Sequence, residues 1–341
     1  MIESGMAPLL TFGRARSAVA LAGFALSLAV SGCHGCKDDE KLTPPVVKPT
    51  APVASGIIEL AVTVDDLPVR IAAGTPETPQ QEAAVIKAFL DAFAKHGVPS
   101  VYGFVNGQRV NEAATRLPLL EAWRNAGHPL GNHTHSHSKL HDVDEFLSDI
   151  DRGEDVLRRI YGGADERTWK VFRYPNLNEG RGERRTQVRR HLDQHGYRVA
   201  PVSVDFFDYA YADAYRRCRE RKDESALAQL EADAVERAVS CTLGSNEATR
   251  RAAGRPVKHV LLLHVGLLQG NVVERLLGEL VKTAKVKFIT LDQALEDAYL
   301  RQHQRPDDES RKACGRASLG QIKQLCKAQA VEEPVEDRAN D

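Results

Sequence analysis

Ile57-Ile58-Glu59-Leu60-Ala61-Val62-Thr63-Val64-Asp65-Asp66 is the stretch on which the fold turns. It is apolar and β-branched for most of its length and stops on two adjacent carboxylates, so it reads as a buried strand that delivers acids to one end. Gln81 to Lys95 follows with apolar residues at helical spacing and ends at His96-Gly97, completing a βα unit. The alternation then recurs. Strands are predicted over Val101–Val105, Pro129–Gly131, Trp169–Phe172, Tyr197–Val204, Val260–Leu263 and Val286–Ile289, with helical stretches between them. Seven strands alternating with helices imply an α/β fold with a parallel sheet, and one domain of this kind over about 250 residues is most simply a barrel. A doubly wound open sheet is the competing architecture. Its nucleotide-binding form has no support, because no glycine-rich loop follows the first strand.

The 341 residues carry 46 Lys and Arg against 47 Asp and Glu, a net charge of -1 that gives no basic surface for nucleic acid. The longest apolar run, Ala18–Val30, has 13 residues, short of the roughly 20 that cross a bilayer. It follows Arg14 and Arg16 and is rich in Ala and Leu, so residues 1–32 read as a secretory signal. Val30-Ser31-Gly32-Cys33 resembles the lipobox of bacterial lipoproteins. The resemblance implies acylation of Cys33 and a membrane-anchored protein of the cell envelope, on the periplasmic side or at the outer membrane. Residues 33–55, with Pro44, Pro45, Pro49 and Pro52, form a tether, and the fold is expected over about 56–300. Within it, residues 211–255 are helical and highly charged and are expected to cap the site, so that a preference for charged substrates would come from them. Residues 301–341 form a polar extension, expected to add a short helix on the outside.

Polar residues capable of chemistry stand at the ends of five predicted strands: Asp65-Asp66, His133 with His137, Arg173, Asp205 with Asp208, and His264. In a parallel barrel all five meet at the C-terminal face, where barrel enzymes place their active sites. In Gly131-Asn132-His133-Thr134-His135-Ser136-His137, two His four apart can face one way on a single helical turn and take a metal ion, with Asp66 as the carboxylate ligand. His135 would point away. A site of two imidazoles and one carboxylate suits zinc, and also cobalt, nickel or manganese.

Together these residues resemble the polysaccharide deacetylase family, carbohydrate esterases that include chitin and peptidoglycan deacetylases. The likeness runs from about Gly56 to Ala298 through five motifs in the family's order. Thr63-Val64-Asp65-Asp66 is similar to Thr-Phe-Asp-Asp, which implies Asp65 as general base and Asp66 as metal ligand. His133-Thr134-His135-Ser136-His137 matches the motif whose outer His bind the metal. Arg173-Tyr174-Pro175-Asn176 resembles Arg-x-Pro, implying that Arg173 orients the catalytic Asp and that the Asn176 backbone N–H helps hold the oxyanion. Asp205-Phe206-Phe207-Asp208-Tyr209 is similar to Asp-x-x-Asp-Trp, with Asp208 tuning the catalytic His. Leu261-Leu262-Leu263-His264 fits Leu-x-x-His and implies His264 as general acid. The family's fold is a distorted (β/α)7 barrel, and its Gly after the aspartate pair is here Leu67, so the loop over the metal is expected to differ.

The resemblance implies a metal-dependent hydrolase that removes acetyl groups from N- or O-acetylated carbohydrate of the cell envelope. The altered loop and charged insertion leave room for a smaller amide or ester, or for a metal- or glycan-binding lipoprotein without turnover. In the expected mechanism Asp65, kept ionised by Arg173, takes a proton from water, and His264, kept charged by Asp208, protonates the leaving group. Four cysteines in polar, poorly cored segments suggest two disulfides, Cys218 with Cys241 and Cys314 with Cys326.

Overall fold

A computed structural model describes residues 56–69, 78–163, 165–314 and 319–327. The signal, Cys33, the tether and the end of the acidic tail lie outside them. All seven expected strands are present: β1 Ile58–Leu67, β2 Tyr102–Val105, β3 Leu130–Asn132, β4 Val171–Phe172, β5 Arg198–Val199, β6 His259–His264 and β7 Val286–Ile289. Among the described residues twelve α-helices accompany them: α1 Pro79–Lys95, α2 Gly107–Asn111, α3 Leu117–Asn125, α4 Val143–Tyr161, α5 Gly182–Gln194, α6 Ala212–Glu220, α7 Glu224–Ala253, α8 Leu267–Ala284, α9 Leu291–Leu295, α10 Ala298–Gln302, α11 Asp308–Ala313 and α12 Leu319–Ile322. None of the described helices is long and apolar enough to cross a membrane.

The sheet is parallel throughout and runs β5-β4-β3-β2-β1-β6, with β7 also paired to β1. Leu60 and Ala61 pair with both β6 and β7, so these two strands occupy opposite edges of β1, and β7 shares an edge with β2. Beyond β5 the chain reaches β6, where the Val204 N–H donates to Val260 and the Val204 carbonyl accepts from Leu262. The segment 198–204 therefore touches β4 at its start and β6 at its end, which curls the sheet into a distorted barrel. β1 is buried along almost its whole length, as a parallel strand covered on both faces should be.

Local sequence explains the helix ends. Thr78 and Gln81 form a capping box ahead of Pro79 at the start of α1. Asp142 and Asp223 cap α4 and α7, which end on left-handed Gly162 and Gly254. Phe89, Phe93 and Trp123 pack under the sheet from α1 and α3, with Phe93 and Trp123 edge to face at 5.6 Å.

Two expectations about the periphery are corrected. The segment 211–255 contributes no residue to the candidate site; α7 instead packs on α8 and α11 and buries Leu230, Ala234, Val235 and Ala238 in the main core. Its alanine-rich inner face is core, and its charges lie away from that face except for Arg237, which is buried against Tyr211. The cysteines also pair differently: Cys218 bonds Cys326 and Cys241 bonds Cys314, with Cα atoms 5.2 and 4.2 Å apart. The reason is packing over long sequence separation. The C-terminal tract folds back over α6 and α7, where Arg217 donates to the Lys323 and Leu325 carbonyls and Arg237 to the Cys314 carbonyl.

Peptide mapping without reductant is expected to recover Cys218–Cys326 and Cys241–Cys314 linkages; Cys218–Cys241 peptides would refute this topology. Replacing Cys314 with Ser should cost about 2–4 kcal/mol in chemical denaturation, since it releases a long loop in the unfolded chain.

Candidate metal and acid-base centre

Five βα junctions carry the site, and the backbone at each is bent to aim a side chain. In a regular strand Asp65 and Asp66 would point to opposite faces. The β1–β2 register shifts between Val64 and Leu67, and Asp66 takes φ 67°, so both carboxylates enter one cavity. Leu67 turns inward instead: it is fully buried, with its carbonyl accepting from the Asn106 N–H. The residue expected to reshape the loop is thus a core residue.

The two histidines do not sit on a helical turn. Residues 133–139 are a loop with left-handed Thr134 and His137 (φ 65° and 59°), and this reversal brings the rings to 4.9 Å, edge to face. Asp149 on α4 ties the loop down by accepting from the Ser136 N–H and from the Ser136 and Ser138 hydroxyls, and Asn106 donates to the His133 carbonyl. Burial would raise Asp149, but the Ser and Thr hydrogen bonds hold it below the ordinary carboxylate value. His135 is not among the three clustered donors; its Nδ1 lies beside Gly107 and its backbone is bonded to Asp149 and Gln108.

His133 Nδ1 lies 2.8 Å from the Arg173 carbonyl. A carbonyl only accepts, so Nδ1 carries the proton and Nε2 is left with its lone pair. Burial, with the neighbouring His137 charge, pushes His133 down to about 3, which keeps it neutral. Its Nε2 faces Asp66 Oδ1 at 3.6 Å, and His137 Nε2 faces the same oxygen at 3.4 Å. One donor atom from each of the three residues lies within 4.8 Å of the others. A neutral imidazole with a fixed tautomer, a second imidazole and a carboxylate fit a divalent cation. A second trio, Asp151, His191 and His195, lies largely exposed across α4 and α5, and there His191 Nε2 already bonds Asp151 at 2.8 Å.

Asp65 is the register partner of His264 across β1 and β6. Arg173, almost fully buried, donates to Asp65 Oδ1 at 3.0 Å, to the Ala200 carbonyl at 2.9 Å and to Thr63 at 3.1 Å. Burial nevertheless raises the Asp65 carboxyl above its ordinary value, and the charges of Arg173, His264 and His137 offset this only in part. Arg173 therefore pulls Asp65 toward the ionised form, as expected, without cancelling the rise that burial gives it. For His264, burial works against the charged form, but the Asp208 carboxylate overcomes it, aided by Asp66 and Asp65, and lifts His264 to about 9. Asp208 Oδ1 is 2.6 Å from His264 Nδ1, and Oδ2 accepts the His264 backbone N–H at 2.8 Å. His264 Nε2 is left for a substrate.

Asp65, Asp66, His133, His137 and His264 line one cavity of about 300 Å³, with Arg173 and Asp208 buried behind Asp65 and His264. Asn176 and Leu177, both left-handed, join it from the turn after β4, Asp205 and Tyr209 from the segment before α6, and Asn106 and Arg109 from the β2–α2 junction. Tyr209 stands where the family has Trp and packs edge to face on His264 at 5.5 Å. Asn106 was legible by the strand-end rule that found the others, since it directly follows β2. Arg305, Pro306 and Arg311 also line the cavity, and nothing local in the sequence marks them. The C-terminal tract, expected on the outside, forms part of the wall.

Residues 55–200 match the family described as polysaccharide deacetylase. Similar solved structures include the peptidoglycan deacetylase PdaC of Bacillus subtilis, 20% identical with a TM-score of 0.42, covering 72% of this chain and 93% of that one. Another is the Bc1960 peptidoglycan N-acetylglucosamine deacetylase, 23% identical with a TM-score of 0.44, covering 73% of this chain and 90% of that one. A third, BA3943 of Bacillus anthracis, is described as a CE4 family pseudoenzyme; it is 14% identical with a TM-score of 0.42, covering 74% and 68%. No curated protein matches the sequence.

The His264–Asp208 pair yields a pH signature in chelator-treated protein. Because the folded His264 value lies above the ordinary 6.5, its stabilising effect is complete below about pH 6.5 and is lost as pH rises through about 9. Urea denaturation of wild type and Asp208→Asn should show a gap that is widest near pH 6 and closes toward pH 10; a constant gap would contradict the assignment.

Proposed function

We propose that this chain, which belongs to the polysaccharide deacetylase family over residues 55–200, is a metal-dependent hydrolase that removes acetyl groups from acetylated carbohydrate of the cell envelope. The observation that carries the proposal is the placing of Asp65 and His264, as cross-strand partners, in the cavity that holds the Asp66, His133 and His137 donors. A module that only bound a metal or a glycan would need neither the buried Asp65–Arg173 pair nor the Asp208–His264 pair.

Asp66, His133 Nε2 and His137 Nε2 would hold the cation, zinc being well suited to the set. When bound there, a divalent cation supplies Lewis-acid polarisation of the acyl carbonyl and eases ionisation of water. Asp65 accepts the proton of the attacking water; its raised pKa makes it a stronger base than an exposed carboxylate, while Arg173 fixes its orientation through Nη1. The Asn176 backbone N–H, presented by the left-handed turn, donates to the oxygen on which negative charge develops. His264, held by Asp208 at Nδ1, transfers the proton from Nε2 to the leaving amine or alcohol. Its elevation to about 9 keeps that proton available at neutral pH.

Export and a lipid anchor at Cys33 belong to the same proposal. The apolar run 18–30, the lipobox-like residues 30–33 and the two disulfides support it, since disulfides persist in oxidising compartments.

Acetate release from a panel of acetylated glycans, small amides and esters should require metal, stop with chelator and return on adding zinc. Asp65→Asn and His264→Ala should each lower the rate by about a hundred- to ten-thousand-fold while metal stays bound. His133→Ala should lose the metal, with metal content compared in a His191→Ala background that removes the exposed trio. Full activity in Asp65→Asn would sink the mechanism.

A further inference from the structure

Charge around the cavity is unevenly matched. Its carboxylates are engaged: Asp65 by Arg173, Asp66 by the imidazoles, and Asp205 by the Phe207 N–H. Arg109 pairs with Glu112. Arg305 and Arg311 differ, because among the described residues neither guanidinium has an ion-pair partner, although both line the cavity. The charge of Arg311 acts on Asp205, where it is a minor effect against the rise that burial gives that carboxyl.

The wall bearing these two arginines is anchored. Pro306 is buried between them in sequence, and the Gln304 carbonyl accepts from Val202 in the segment that closes the barrel. Asp307 caps α11 by accepting from Ser310, and the helix ends on Cys314, bonded to Cys241 in α7. Two guanidiniums on a covalently pinned wall, beside a cation site, are preorganised for an anion. Their flat forks match the oxygens of a carboxylate or phosphate.

We propose that Arg305 and Arg311 receive an oxyanion, carboxylate or phosphate, carried by the acetylated substrate near the group that is cleaved. They are thus specificity-determining residues, and the preferred substrate is an anionic acetyl compound. The inference rests on the hydrolase reading only for what happens to the acetyl group.

The test uses the full-length, disulfide-bonded, zinc-loaded protein and three matched probes: a neutral acetylated amino sugar, the same sugar bearing a carboxylate, and the same sugar bearing a phosphate ester. Calorimetric binding and acetate release are measured for each. At least one anionic probe should bind about tenfold or more tightly than the neutral sugar, as expected for charge-assisted bonds, with the gain appearing in KM and eroding at high salt. The two anionic arms identify the oxyanion. Arg305→Gln, at an exposed position that leaves the core intact, should reduce this preference, and Arg305→Gln with Arg311→Gln should abolish it. Equal binding of neutral and anionic sugars, or a loss in the double variant equal for both, would overturn the proposal. If no probe is hydrolysed the hydrolase reading fails, and the binding preference still decides this one.

Discussion

The buried Arg173 guanidinium is the constraint around which the site is assembled. Removing such a charge from water costs several kcal/mol unless its donors are satisfied, and here acceptors from two parts of the chain satisfy them: Asp65 and Thr63 on β1, and the Ala200 and Pro201 carbonyls beyond β5. The side chain thereby laces together strands that are not neighbours in the sheet. Its own carbonyl, at the end of β4, fixes the tautomer of His133. One residue therefore holds the Asp65 carboxylate and fixes the proton on His133 by separate groups. Stacking of the guanidinium over the Phe104 ring at 4.6 Å adds an apolar support that a Lys could not use as well.

Two of the three imidazoles in this cavity, His133 and His264, are driven in opposite directions. His133 has a carbonyl at Nδ1 and a buried surround, so it stays neutral and presents a lone pair. His264 has a carboxylate at Nδ1, so it stays charged and presents a proton. The second-neighbour atom, carbonyl or carboxylate, sets the chemical role in each case. The backbone shows a matching division. Asp66 at the irregular end of β1, and Thr134, His137, Asn176, Leu177 and Phe207 in the segments that follow the strands, all have positive φ. Such strain is stored where side chains must be aimed and is held by the regular sheet beneath.

What could be read from the sequence follows from this division. The strands were legible because buried parallel strands are short β-branched runs, and the candidate site was legible because its residues stand at or just beyond the strand ends. The left-handed turn that gathers His133 and His137 was not, because spacing of four residues suits a helical turn equally well. Nor was Asp149, whose role depends on a helix folding back over the histidine loop. The cysteine pairing failed for a related reason: proximity in sequence favoured Cys218 with Cys241, whereas both face the returning C-terminal tract. Local pattern fixes an element, but contacts separated by 73 and 108 residues are settled by packing alone.

That returning tract changes what the charged periphery means. A long charged helix near a catalytic domain invites reading as a lid, yet α7 spends its inner face on the core and serves as the abutment to which α11 is bonded. The polar tail, with no motif and no apolar run, is the part that reaches the cavity. Its arginines need a rigid backing because a guanidinium on a free tail would lose its rotamer freedom on meeting a ligand and give back much of the electrostatic gain. The Cys241–Cys314 bond restrains the backbone that carries them, so the side-chain part is what remains to be ordered. On this view the insertion and the tail are one device, an outer helix whose value to the site lies in holding another segment against it.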